Sequence, residues 1–294
     1  TVIPGIPANV DLRNGDIYWL DFNSDGELDF IVTGENISNP LTTVFENSGG
    51  VLNQSSSVAA NLEAVTNAEL DAADFDKDGD LDILLTGTGL ASNGLTNLYS
   101  YNQGQGEFEL VTAVSNVLEN VTDGDISWGD YDNDGDLDIL LAGDAGTPIL
   151  RIYENDGLGN FSEDDQSGVL VGIEDAKIAW IDLDTDGDLD IVANGSNGTE
   201  ARTYLYSNNG AGIYTNISDA DVLGTIQGDL AYADIENDGD LDLVISGLNF
   251  TQTASSTTLY LNDGSGDFTT SGQTYMTSAN GALAFGDYND DTFP

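Results

Sequence analysis

The stretch DYDNDGDLD contains five Asp residues within nine positions, and four of them, Asp130, Asp132, Asp134 and Asp138, are the candidate side-chain ligands of one ion. Carboxylates this close repel one another, by about 1 kcal/mol per pair at 4 Å in water and about 4 kcal/mol at an effective dielectric near 20. Gly135 permits a sharp turn that points successive side chains at one centre. Because oxygen ligands without His or Cys suit Ca²⁺ better than zinc or copper, the stretch predicts a calcium-binding loop.

This acidic loop recurs along the chain at intervals of 52 to 56 residues. Its five complete copies begin at Asp21, Asp74, Asp130, Asp182 and Asp234. A sixth copy begins at Asp287, and in every complete copy a Gly stands thirteen residues after the first Asp. Fixed internal spacing in five copies identifies a structural repeat, which takes precedence over a domain count based on length.

The composition of the 294 residues narrows the possible functions. The net charge is −48, about half of the 53 acidic residues lie in the loops, and the five basic residues are scattered. Such a charge repels nucleic acid and anionic membranes, and we expect neither nucleic-acid binding nor membrane insertion. The chain has no Cys, which excludes disulfides, thiol nucleophiles and Cys-based metal sites.

The segments beside each loop predict β-strands. A short alternating segment precedes each loop and carries a large residue two positions before the first Asp, with Ala72 as the exception. These large residues are Trp19, Trp128, Trp180, Tyr232 and Phe285. A continuous apolar run follows each loop, at 30–32, 83–85, 139–142, 191–193 and 243–245. Continuous apolarity predicts a strand buried on both faces, between two neighbouring sheets.

The second half of each repeat predicts a hairpin around Asn-Asp-Gly or Asn-Asn-Gly, residues that tolerate positive φ. An aromatic residue stands two positions before the turn Asn in four repeats, at Phe45, Tyr153, Tyr206 and Tyr260. We expect these aromatics to pack between sheets. The second repeat departs, since Tyr99 and Tyr101 flank that position, which predicts a shifted register or a bulge.

Four strands, one loop and one hairpin fill about 53 residues and leave no helical segment. The chain is therefore predicted to be an all-β protein, with a β-propeller of four-stranded blades favoured over an open solenoid. We expect 1–294 to form a single repeat domain with blades beginning near 15, 68, 124, 176 and 228 and an incomplete repeat at 281–294. The acidic loops are expected between the first and second strands of each blade.

An EF-hand is excluded because its twelfth position requires Glu, where this chain has Val32, Leu85, Leu141, Ala193 or Ile245. The motif D-x-D/N-x-D-G-x-L-D between strands resembles the FG-GAP/VCBS repeats of integrin-α-like calcium-binding β-propellers. That resemblance implies about five structural Ca²⁺ ions and usually seven blades. It also implies side-chain ligands at loop positions 1, 3, 5 and 9 and a carbonyl ligand at position 7.

Carried over residue by residue, the resemblance gives five ligand sets. The first set is Asp21, Asn23, Asp25, Glu27 and Asp29, and the second is Asp74, Asp76, Asp78, Asp80 and Asp82. The third is Asp130, Asp132, Asp134, Asp136 and Asp138. The fourth is Asp182, Asp184, Asp186, Asp188 and Asp190, and the fifth is Asp234, Glu236, Asp238, Asp240 and Asp242. The unfinished sixth loop, with Thr292 at the turn Gly position, is expected to bind weakly or not at all.

The resemblance implies a secreted or cell-surface module for binding, adhesion or assembly, without catalysis of its own. Its expected partners are a protein or glycan surface ligand or other copies of the chain. Two alternatives stay open: a sugar-binding lectin propeller, with repeated exposed aromatics, and the non-catalytic propeller of a secreted polysaccharide-degrading enzyme. An extracellular location fits because extracellular calcium modules bind weakly, with Kd about 10⁻⁴ to 10⁻³ M.

Overall fold

A computed structural model of the protein describes residues 12–36, 39–90, 94–103, 105–166, 168–218, 221–273 and 275–286. Within these residues the chain forms five four-stranded antiparallel sheets, an all-β architecture consistent with a β-propeller-like fold. In each sheet, strands that follow one another in sequence are neighbours. The prediction of four strands per repeat is confirmed.

The strand bounds follow the repeat. The first two sheets contain β1 Ile17–Leu20, β2 Asp29–Glu35, β3 Pro40–Ser48, β4 Val51–Ser55, β5 Val65–Ala73, β6 Asp82–Gly89, β7 Leu95–Asn102 and β8 Glu107–Leu110. The third contains β9 Thr122–Gly129, β10 Asp138–Asp144, β11 Pro148–Asn155 and β12 Phe161–Asp164. The last two contain β13 Glu174–Ile181, β14 Asp190–Ser196, β15 Ala201–Ser207, β16 Thr215–Asn216, β17 Ile226–Ala233, β18 Asp242–Leu248, β19 Ser255–Asn262 and β20 Phe268–Thr270.

The chain divides into two compact units. One comprises Thr1–Trp128, Asp144–Gly146 and Tyr153–Glu163, and the other comprises Gly129–Gly143, Thr147–Ile152 and Asp164–Pro294. The first unit holds the first two sheets, and the second unit holds the last two. The prediction of a single repeat domain stays a prediction.

The core of each unit lies between consecutive sheets. In the first unit, Ile31 and Val44 of the first sheet share a cluster with Ile83 and Leu85 of the second. In the second unit, the same kind of cluster joins the fourth and fifth sheets. The apolar runs are therefore buried on both faces, as predicted, except that Val244 in the last sheet is partly exposed.

The Gly thirteen residues after the first Asp lies opposite an irregularity in the first strand, which the second, fourth and fifth repeats show as a shift of register. Inside this bulge one residue adopts positive φ, as Asn67 does at 49° and Gln227 at 49°. The bulge brings the first strand so close that a Cβ on Gly247 would lie 2.7 Å from the Ile226 carbonyl oxygen. Because Gly247 also has a φ of 143°, a side chain there would be strained as well as crowded.

The repeated aromatics Phe45, Tyr99, Tyr153, Tyr206 and Tyr260 are each at most 1% exposed. Tyr206 and Tyr260 pack in clusters that join two consecutive sheets, as predicted, and Tyr99 does so as well. Phe45 differs from the prediction, because its cluster consists of residues of its own sheet. Each Tyr hydroxyl also accepts a hydrogen bond from a backbone N–H in the segment that leads from the preceding repeat into the repeat of that Tyr. The donors are Glu63 at 3.1 Å, Glu119 at 3.0 Å, Val171 at 2.9 Å and Leu223 at 3.0 Å. The hydroxyl therefore satisfies a linker amide.

The predicted register shift in the second repeat is wrong. Tyr99 pairs with Ile83, just as Tyr206 pairs with Ile191 in the fourth repeat, so the strands keep one register. Tyr101 therefore occupies the position of the turn Asn. Its ring lies 5.1 Å from Phe22 and 5.1 Å from Phe108, in space that opens because Ala72 is small.

The prediction that no segment is helical is also wrong. One turn of α-helix, α1 Thr112–Ser115, lies in the segment between the second and third repeats. The interval between first Asp residues is longest here, at 56 residues. The additional residues wind into a turn that buries Val114 and donates the Ser115 N–H to the Val111 carbonyl at 3.0 Å.

Candidate metal centre

The five complete acidic loops each connect the first strand of a sheet to the second. The ninth loop residue is always the first residue of the second strand, and it is at most 1% exposed. These residues are Asp29, Asp82, Asp138, Asp190 and Asp242. A carboxylate that starts a buried strand needs strong partners, since an isolated buried charge is very costly. The sixth loop, 287–294, lies outside the described residues.

Two residues in each loop have left-handed backbone conformations. The fourth residue has φ between 55° and 62°, and the sixth residue is Gly with φ between 87° and 101°. A Cβ on Gly135 would meet no atom within 4 Å, so Gly is favoured there by conformation and not by space. These two conformations curl the backbone around the carboxylates.

Backbone amides hold the loop carboxylates in place. In the fourth loop, Asp182 accepts hydrogen bonds from the N–H groups of Asp186 at 3.2 Å and Gly187 at 3.1 Å. Asp186 in turn accepts one from the Asp188 N–H at 3.0 Å. The pair of bonds to the first Asp recurs in the first, second and fifth loops. The bond to the fifth-position Asp recurs in all five loops.

Three loops bring three carboxylates together, with one oxygen of each within 4.8 Å of the others. The trios are Asp74, Asp76 and Asp78; Asp130, Asp132 and Asp138; and Asp182, Asp184 and Asp190. Among the described residues, the first and fifth loops do not form such a trio. They are the loops with Asn23 and Glu236 at the third position. Three Asp clusters could therefore hold a metal ion.

Three of the five residues at the seventh position bond groups outside their own loop through their side chains. Glu27 accepts a hydrogen bond from the Gly49 N–H at 2.6 Å, and Asp188 accepts one from the Asn133 side-chain amide at 2.9 Å. Asp80 accepts one from the Gln103 side-chain amide. These side chains bond the hairpin turn or a neighbouring loop, which is compatible with the prediction that this position offers its carbonyl.

Several buried carboxylate oxygens in the loops have no hydrogen-bond partner. They are Asp130 Oδ1 at the first position, Asp184 Oδ1 at the third and Asp29 Oδ2 at the ninth. An unpartnered buried polar atom costs about 1–3 kcal/mol, and more when charged. A hard cation would satisfy such oxygens, so the donor set fits Ca²⁺.

Burial raises the pKa of three of the ninth-position carboxyls, those of Asp82, Asp29 and Asp190. The pKa of Asp82 rises to about 7, and Asp76 adds to the effect by repulsion. Burial similarly raises the pKa of Asp29 to about 6 and that of Asp190 to about 6, although backbone N–H groups oppose the shift. Carboxylates assembled without a countercharge behave in this way.

The sequence did not reveal the role of the turn Asn. The Asn208 side-chain amide donates to the Tyr131 carbonyl in the third loop at 2.6 Å and to the Leu189 carbonyl in the fourth loop at 3.1 Å. Asn262 likewise donates to the Leu183 carbonyl at 2.8 Å and to the Leu241 carbonyl at 3.2 Å. Each Asn therefore joins two successive acidic loops.

The fold and the acidic loops together define a repeat protein of propeller-like sheets, in which three of the loops bring together carboxylates that could hold a cation. Residues 21–85, 130–193 and 182–245 match the model of the FG-GAP-like repeat. These segments cover more than half of the chain, and the protein belongs to the FG-GAP-like repeat family. The resemblance inferred from the sequence is confirmed.

Among solved structures, the chain is similar to the exo-β-1,3-galactanase from Phanerochaete chrysosporium with β-1,3-galactotriose. The similarity covers 88% of this chain and 66% of that chain, with 10% sequence identity and a TM-score of 0.43. Similarity at this level carries no functional argument. No curated protein matches the sequence. In the described part of the chain, no helix is both long and apolar enough to cross a membrane.

Proposed function

We propose that the protein is a calcium-stabilised β-propeller module that binds a surface ligand outside the cell and has no catalysis of its own. The observation that supports calcium most directly is the set of buried, unpartnered carboxylate oxygens within the Asp clusters. The family supports the same reading, since each match to its repeat begins at the first Asp of an acidic loop. Adhesion or assembly is the use that we favour for such a module.

In this proposal the ion would be held by side chains at positions 1, 3, 5 and 9 and by the carbonyl at position 7 of each complete loop. When bound, the ion supplies positive charge to oxygens that otherwise repel one another. The chain's own contribution is to fix those oxygens. Asp190, for example, accepts the Asn208 N–H at 2.7 Å and the Leu183 N–H at 2.8 Å, so the loop and the hairpin are tied to the same carboxylate.

The sugar-binding alternative predicts a repeated exposed aromatic. The repeated aromatics of the hairpins are buried, so that row is not available to stack on sugars. A glycan array probed with the calcium-loaded protein separates the two uses. An adhesion module for protein surfaces gives no glycan hits, whereas a lectin gives a consistent set that chelation abolishes.

Chelation tests the calcium proposal itself. A single site held at 100 times its Kd stabilises the folded state by about 2.7 kcal/mol, and several sites add. We expect the midpoint of thermal unfolding to fall by about 10 °C or more when Ca²⁺ is removed, and to recover when Ca²⁺ is restored. An unchanged midpoint would exclude the proposal.

Two matched Asp→Asn variants sharpen this test. Asp186→Asn changes a proposed ligand and should reduce the calcium-dependent gain in the unfolding midpoint. Asp263→Asn changes an exposed hairpin carboxylate, which accepts only from its own turn at Ser265, and should leave the calcium-dependent gain intact. Equal effects of the two variants would mean that charge in general, and not the loop, produces the calcium response.

A further inference from the structure

A continuous hydrogen-bond relay runs through the third, fourth and fifth acidic loops. In the third loop, the Tyr131 N–H donates to Asp138 at 3.3 Å, and the Tyr131 carbonyl accepts from the Asn208 side chain at 2.6 Å. The Asn208 backbone N–H then donates to Asp190 of the fourth loop at 2.7 Å. One asparagine therefore connects ninth-position carboxylates of two neighbouring loops.

The same three steps repeat from the fourth loop to the fifth. The Leu183 N–H donates to Asp190 at 2.8 Å, and the Leu183 carbonyl accepts from the Asn262 side chain at 2.8 Å. The Asn262 N–H donates to Asp242 at 2.9 Å. Asn208 and Asn262 are 3% and 5% exposed, so little water competes for these bonds. All the residues of the relay lie in one compact unit.

The relay differs in the step from the first loop to the second. Tyr101 replaces the asparagine there, and its ring packs against Phe22, the residue that corresponds to Tyr131 and Leu183. The Tyr101 backbone N–H still donates to Asp82 at 3.1 Å. A phenol ring cannot supply the two N–H donors of a carboxamide, so the side-chain step is lost.

We propose that Asn208 and Asn262 couple calcium binding in the third, fourth and fifth loops, so that these three sites fill together, while the first loop fills independently of the second. The inference rests on the proposed calcium-binding function. The Asn208 N–H donates to Asp190, so an ion that fixed Asp190 would also fix the Asn208 backbone. The Asn208 side chain then positions the carbonyl of Tyr131, which lies in sequence between the proposed ligands Asp130 and Asp132. A neighbouring loop that is already ordered loses less conformational entropy when its own ion binds. Each carboxylate oxygen has lone pairs for both an amide and an ion.

The test is a calcium titration of the full chain followed by hydrogen–deuterium exchange, with peptides that report each loop separately. In the unchanged protein, the third, fourth and fifth loops should become protected at the same calcium concentration, within about twofold. In Asn208→Ala, the third loop should separate from the fourth by about fivefold or more, which is the lower end of typical coupling between sites. Asn262→Ala should separate the fifth loop in the same way.

Two asparagines serve as matched controls. Asn209, the next residue along the turn, accepts from the N–H groups of Ala211 and Ile213 and donates to neither loop. In the first repeat, the Asn47 side chain donates to the Leu28 carbonyl of its own loop at 3.2 Å. Asn209→Ala and Asn47→Ala should leave the joint titration of the third, fourth and fifth loops unchanged.

A ligand substitution tests the coupling without touching either asparagine, and it applies even if an asparagine variant does not fold. Asp186→Asn weakens the fourth site, and we expect the third and fifth loops to need about fivefold more calcium while the first loop needs the same amount. Because coupling is reciprocal, Asp134→Asn in the third loop should weaken the fourth loop by an equal factor.

The outcomes separate the two proposals. If no loop responds to calcium, the proposed function fails and the coupling fails with it. If every loop responds but the third, fourth and fifth titrate independently, or if Asn208→Ala titrates like the unchanged protein, calcium binding stands and the coupling is overturned.

Discussion

In the second and fourth repeats, corresponding spaces are filled by aromatic rings from different strands. In the fourth, the Trp180 ring on the first strand stacks on Tyr131 at 6.0 Å and lies tilted against Tyr214 at 6.3 Å. In the second, the corresponding residue is Ala72, and Tyr101 on the third strand fills the space between Phe22 and Phe108 instead. In both repeats a large ring packs against aromatic neighbours, but the ring comes from the first strand in the fourth repeat and from the third strand in the second.

This exchange has a cost for the hairpin. Where the first strand supplies the large residue, the third strand is free to place an Asn that bonds two loops, as Asn208 does. Where the third strand must supply the aromatic ring, that amide is lost. An aromatic ring that fills the space and an Asn that bonds two loops therefore compete for the same position on the third strand. The fourth repeat has both, because Trp180 on the first strand already fills the space.

The strongest test of this comparison gives the second repeat the residues that the fourth repeat has at the two positions. Tyr101→Asn alone should destabilise the protein by about 3–5 kcal/mol, because it removes a ring that is 7% exposed and leaves a cavity beside Ala72. The double variant Ala72→Trp with Tyr101→Asn should recover most of this loss, since it recreates the arrangement of the fourth repeat. Urea unfolding measures both values.

A loss below about 1 kcal/mol for Tyr101→Asn would mean that the ring does not fill the space that Ala72 leaves. Additive losses in the double variant would contradict the idea that the two positions compensate. Leu158→Ala is a control in the hairpin turn of the third repeat, where the side chain is 84% exposed, and it should have little effect on the unfolding curve.

A second test concerns the residue just before the loop. A Cβ on Gly129 would lie 2.5 Å from Cδ1 of Trp180, a rigid ring atom, whereas the first repeat has Leu20 at this position, buried in the cluster against which Ala72 packs. Gly129→Ala should therefore destabilise by about 1–3 kcal/mol through overpacking. In a Trp180→Ala background the same substitution should be tolerated, because the clash is gone.

Both variants are compared by their unfolding midpoints in urea. If Gly129→Ala costs the same with and without Trp180, the loss comes from the glycine backbone and not from contact with the ring. The small size of Gly129 would then not be explained by contact with the large Trp180 side chain in the next repeat.

The sequence predicted those features that repeat with a fixed period. The loop carboxylates, the turn Gly and the strands on either side could be placed because each occurs at the same offset in every copy. The sequence also showed that Ala72 and Tyr101 break the pattern. It could not show that the large Tyr101 compensates for the small Ala72, because contact between the first and third strands depends on packing across the sheet.

The turn asparagines are a clearer example of a contact that could not be predicted from the sequence. Asn208 and Asn262 were interpreted from sequence as turn residues, since Asn tolerates positive φ. Their side chains instead bond carbonyls 77 and 79 residues earlier in the chain, in the loop of the preceding repeat. A local pattern carries no record of a partner so distant. The only signal in the sequence was the similar separation between each Asn and its carbonyl partner in successive repeats. That separation can be interpreted only once the structure shows that the two loops are neighbours.

The smallest expected effect concerns the first repeat, which has Phe45 where the fourth has Tyr206. Removing the hydroxyl in Tyr206→Phe deprives the Val171 N–H of its acceptor at 2.9 Å and should destabilise by about 1 kcal/mol. Phe45→Tyr should give no gain, because Phe45 is fully buried and a new hydroxyl needs a partner as well as space. Thermal unfolding resolves a difference of this size. If Tyr206→Phe proves neutral, the ring alone supports the linker, and the first and fourth repeats differ there in chemistry but not in stability.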